Sequence, residues 1–91
     1  MEMEPRPCEV KALLNFLIYV KFNNGEERIY DMKRNLKYPF YKDLQNINNF
    51  KKVKISGINI EWETGEDIAP ENLYNDSEPI ERYKIDELQE I

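Results

Sequence analysis

Histidine is absent from the 91 residues, and this one absence removes much chemistry. Without imidazole there is no Ser-His-Asp or Cys-His nucleophile system and no His-ligated metal centre. Glycine occurs only three times, each time in a turn-like context, so no glycine-rich phosphate loop exists. Cys8 is the single cysteine, which excludes an intrachain disulfide and suits a reducing compartment. It reads as a small apolar residue near the first strand. The longest apolar window, ALLNFLIYV, is interrupted by Asn15 and is far too short to span a bilayer. The N-terminal MEMEPRP is acidic and proline-containing, unlike a signal peptide. These absences predict a cytoplasmic protein that is not an enzyme, with no cofactor, no metal and no small-molecule substrate.

What is present fits one small domain. Hydrophobic residues make up 41% and aromatics 12%, too apolar for a disordered chain. A domain of this size buries only about 60–65% of its unfolded surface, so its core is modest. The net charge of −5 conceals an asymmetry. Residues 1–60 carry 11 basic and 7 acidic side chains, whereas residues 61–91 carry 2 basic and 11 acidic ones. An acidic whole disfavours non-specific nucleic-acid binding, since each phosphate contact requires an accessible cation.

The pattern divides the chain into a flexible leader (1–7), one α+β domain (8–74) and an acidic C-terminal extension (75–91). Cys8 to Leu14 reads as a first strand and FLIYVKF, Phe16 to Phe22, as a second. Apolar residues on both faces of the second place it centrally in a sheet. Asn23-Asn24-Gly25 then signals a hairpin. A two-residue turn at Asn24-Gly25 pairs Val20 with Ile29 and Tyr19 with Tyr30. A three-residue turn instead sets Lys21 against Glu27 and Val20 against Arg28. The apolar matches favour the first, and the sequence leaves the register open. Further on, Leu36, Phe40, Leu44, Ile47 and Phe50 recur at spacings of three and four, predicting short helical turns that lay an apolar stripe on the sheet. KKVKISGINIEWE predicts a ribbon turning at Ser56-Gly57, with Ile55 opposite Ile58, Val53 opposite Ile60 and Lys52 opposite Glu61.

The run IEWETGEDIAPENLY, Ile60 to Tyr74, holds five carboxylates around one tryptophan. Strand alternation and turn geometry splay Glu61, Glu63, Glu66, Asp67 and Glu71 apart, whereas a metal requires convergent oxygens. Pro70 suits the first position of a short helix, and Glu71 suits its dipole. These acids read as structural. The stretch KRNLKYPFYKDL differs, because it interleaves cations with aromatics as contact surfaces do. Its Lys33, Arg34, Lys37, Tyr38, Tyr41 and Lys42 are the candidate partner-binding residues. Stacking on single-stranded nucleic acid is the weaker alternative use of such a stretch.

The order of these motifs resembles a known family. FLIYVKF leads into NNGEERIYDM, then PFYKDL and NNFKKVKI, and closes with Trp62 and GEDIAPENLY. Over about Cys8 to Ile80 this resembles the small prokaryotic domain of unknown function 2442. The resemblance implies a compact α+β domain with no established activity. It also implies a gene setting like that of toxin–antitoxin pairs. No catalytic residue is carried over. The combined expectation is an antiparallel sheet of about five strands built from hairpins, with short helical segments packed on one face. Its expected role is a protein-interaction module, antitoxin-like toward a co-encoded small protein. A structural homo-oligomer is the alternative, with a nucleic-acid-associated regulatory domain behind it.

Overall fold

The computed structural model describes residues 5–91. The expected leader falls mostly outside them, and Pro7 already opens the first strand. Two antiparallel sheets form the domain. The first has four strands in the order β1 (Pro7–Leu13), β2 (Leu17–Phe22), β3 (Glu27–Asp31) and β7 (Glu78–Pro79). The second has β4 (Lys54–Ser56), β5 (Asn59–Glu61) and β6 (Asp67–Ile68). The expected single sheet of about five strands is thus corrected to two sheets. The stretch after Asp31 breaks the ladder and returns the chain over one face of the first sheet before pairing resumes.

β2 lies centrally, as its two apolar faces require. Ile18, Val20 and Phe22 point into the main core with Tyr30 and Met32. There they meet Leu44, Phe50, Ile60, Trp62, Ile68 and Leu73. Trp62 ties the second sheet to α1 (Ile47–Phe50), because its Nε1 donates to the Phe50 carbonyl at 2.8 Å. This bond satisfies a buried pair that would otherwise cost about 1–3 kcal/mol.

Both internal hairpins take registers other than those favoured from sequence. The first uses the three-residue turn: Lys21 faces Glu27, Val20 faces Arg28 and Tyr19 faces Ile29. Gly25, at φ +90°, closes it by donating to the Phe22 carbonyl. Opposing Val20 with Arg28 is acceptable because Arg28 finds partners on the core side. Its Nε and Nη2 donate to Ser77 Oγ and to the Ser77 carbonyl, each at 2.7 Å, and the guanidinium lies on the Tyr74 ring. The second hairpin turns on Gly57-Ile58, so Ile55 faces Ile60 and Lys54 faces Glu61. Here Gly57 takes φ +60° at the first central position, where a type II′ turn demands glycine. The apolar face survives this shift, but Ile58 moves to the exposed tip.

The apolar stripe is also corrected. Leu44 and Phe50 are buried, whereas Phe40 and Ile47 are exposed. Pro39–Gln45 is a 3₁₀ helix, with three residues per turn. At that pitch Phe40 and Leu44 lie a third of a turn apart, while Tyr41 and Leu44 share the inward face. Cys8, in β1, is exposed.

The expected extension, beyond Asn75 at the end of a short helix, forms a strap. β7 pairs with β3, and at the far end Leu14 N–H donates to the Gln89 carbonyl at 2.8 Å beside a Leu13–Glu90 bridge. Between these anchors Ile80, Tyr83 and Leu88 cover Leu13, Leu17 and Ile29 on the second face of the four-stranded sheet. Helical segments therefore pack on both faces, since two 3₁₀ turns, Ile80–Arg82 and Ile85–Glu87, belong to this strap.

Candidate functional site

The five carboxylates do not converge. Asp67 faces Glu61 across β5 and β6, and Glu61 faces Lys54 on its other side. Glu63 is exposed in the turn, and Glu71 stands in the first turn of α2 (Pro70–Asn75). Glu66 is buried and accepts from the Thr64 hydroxyl. Among the described residues no group of three His, Cys, Asp or Glu side chains is placed to hold a metal ion.

The basic–aromatic stretch is divided by the fold. Lys33 is held by its own chain, donating to the Asn15 carbonyl at 3.0 Å and pairing with Asp31 at 3.2 Å. The Arg34 guanidinium lies 5.5 Å from the Tyr30 ring centroid. Lys37 sits over the Tyr38 ring at 5.3 Å, and Lys42 is exposed. Among the described residues neither Lys37 nor Lys42 forms an ion pair within the chain. Tyr38 and Phe40 remain 53% and 59% exposed. Pro39 starts the 3₁₀ helix after an extended Tyr38, and this corner turns both rings outward.

Tyr41 turns the other way and helps to line a cleft of about 320 Å³. Its hydroxyl donates to the Asp67 carbonyl at 3.0 Å, and Phe40 meets its ring edge-on at 4.8 Å. Across the cleft stand Asn72 of α2 and, one turn on, Asp76 at the helix C-cap. Tyr30 lies behind, its hydroxyl donating to Asn35 Oδ1 at 2.9 Å. Burial raises the pKa of both Tyr30 and Tyr41, and nearby acids add to it: Asp76 and Asp31 for Tyr30, Asp67 and Glu66 for Tyr41. At neutral pH these phenols are therefore protonated donors rather than bases. Phe40, Asp67, Asn72 and Asp76 were missed as site residues by the sequence reading. For Phe40 the available signal was Pro39, which marks a break in helical spacing.

A second polar network holds the fold together. Glu26 accepts from Tyr74 and from Asn24 and pairs with Arg28 at 3.1 Å, while Ser77 anchors the other side of Arg28. It joins the first hairpin to the end of α2. A smaller cleft of about 280 Å³ lies under the strap, between Tyr19, Glu27 and Leu88.

These features define a small α+β domain of two antiparallel sheets with a mixed cationic and aromatic face. The chain belongs to the family described as Protein of unknown function (DUF2442), whose model matches residues 7–79. No curated protein and no solved structure matches the chain.

Proposed function

We propose that this protein is a non-enzymatic, cytoplasmic interaction module that masks a protein partner. The single observation behind this reading is the outward-turned surface at Lys37 to Lys42. There Tyr38 and Phe40 are more than half exposed beside Lys37 and Lys42, which form no ion pair among the described residues. Large rings held in water favour burial against another surface, and aromatics are enriched where proteins meet. The lysines suit a partner with acidic groups around that contact, and such charges mainly steer association. An antitoxin-like role toward a co-encoded small protein accords with this chemistry. The absence of a helix long and apolar enough to cross a membrane among the described residues is compatible with it.

The test is affinity purification of the tagged protein expressed with its neighbouring genes, read by mass spectrometry. One small protein recovered in near-equal amount is the expected result. Recovery of the bait alone overturns the reading and directs attention to self-association, which light scattering at several concentrations measures.

A further inference from the structure

The cleft beside this surface has a chemistry of its own. One wall is aromatic, with Phe40 exposed at the rim and Tyr41 set edge-on behind it. The facing wall is anionic and amide-bearing, formed by Asp67, Asn72 and Asp76. Among the described residues neither carboxylate is in an ion pair. Among these residues the Asp67 carboxylate accepts one bond, from the Asn59 amide at 3.3 Å. Three elements converge to build it: the Pro39–Gln45 turn, β6 and α2.

An anion would be repelled by these acids. A bare divalent cation lacks its ligand set, because no group of three suitable side chains converges among the described residues. An organic cation fits both walls. Ring faces attract it, and the carboxylates bond to it. At about 320 Å³ the cleft is at the small end of ligand sites, the scale of one long side chain. A guanidinium fits better than an ammonium, since it is planar, stacks on rings and forks to a carboxylate. Arg34 over the Tyr30 ring shows the ring contact alone within this chain, and Arg34 is not part of the cleft lining.

We infer that the cleft between Phe40–Tyr41 and Asp67–Asp76 receives an arginine side chain of the protein partner. The inference rests on the proposed interaction role for its occupant. It adds an anchor: a partner segment places one arginine in the cleft while its acidic residues meet Lys37 and Lys42. Charge complementarity on opposite sides of the aromatic rim sets both the register and the direction of that segment.

The experiment is an amide NMR titration of the full chain with the peptide Ac-Gly-Arg-Gly-NH2. Its control is the citrulline peptide Ac-Gly-Cit-Gly-NH2, which has the same shape without the charge. Saturable shifts at Asn35, Phe40, Tyr41, Asn72 and Asp76 are expected with arginine and not with citrulline. The double variant Asp67→Asn, Asp76→Asn keeps the side-chain shapes and is expected to weaken arginine binding by about tenfold or more. Its unperturbed spectrum verifies folding. Equal shifts from citrulline, shifts elsewhere on the surface, or none up to ~10 mM peptide, a limit beyond which an anchor contributes little, each overturn the inference. Such failures leave the affinity purification untouched, so the two ideas fail separately.

Discussion

Glu26 connects a turn, a strand and a helix end through one carboxylate. Its hydrogen bond from Tyr74 is the main cause of a pKa held below the ordinary glutamate value of 4.5, with Asn24 and Arg28 contributing after it. The folded state therefore binds this proton less readily than the unfolded chain does. Glu26 contributes stability that is fully present above the unfolded pKa and is lost as pH falls through the lower, folded one. Urea unfolding from pH 7 to pH 3 is expected to show a smaller acid-side loss in Glu26→Gln than in the native chain. Identical pH profiles would contradict the role given to this carboxylate. The group is partly exposed, so the effect belongs at the modest end for ion pairs.

The strap is the element that sequence composition describes worst. Its acidity marks 75–91 as an extension, yet Ile80, Tyr83 and Leu88 complete a second core over Leu13, Leu17 and Ile29. Leu88→Asp sets a charge on that apolar face and is expected to release the end of the strap. Hydrogen exchange at the Leu14 amide, which donates to Gln89, should then accelerate by about tenfold while the Trp62 amide stays protected. Unchanged exchange at Leu14 would mean that Leu88 does not hold the strap. Other elements were more legible. The two-faced apolar pattern of β2 and the one-faced pattern of β4–β5 both describe the packed molecule. Their registers were not legible, because Arg28 is anchored by Ser77, 49 residues away, and no local pattern contains that contact. Gly57 could have been read better, since a type II′ turn places glycine first of the two central residues.

Across the whole molecule, the candidate site was half visible in the sequence. Interleaved lysines and aromatics from Lys33 to Leu44 marked the candidate surface, but helical spacing assigned Phe40 to the core. The 3₁₀ pitch reverses that assignment and turns Phe40 into the rim of a cleft. Asp67 and Asp76 were hidden because the cleft joins segments some thirty residues apart in the chain. Within the candidate set, Lys33 and Arg34 are held by Asp31, Asn15 and Tyr30, which leaves Lys37 and Lys42 as the available cations. Both lysines are exposed, so reversing them disturbs the fold little. The most direct measurement is a side-by-side pull-down of the native protein and the Lys37→Glu, Lys42→Glu variant, each co-expressed with its neighbouring genes. The account predicts a near-equimolar small partner with the native chain and at least a tenfold loss with the variant, at unchanged circular dichroism. Equal capture by both proteins, or capture of nothing by either, would contradict it.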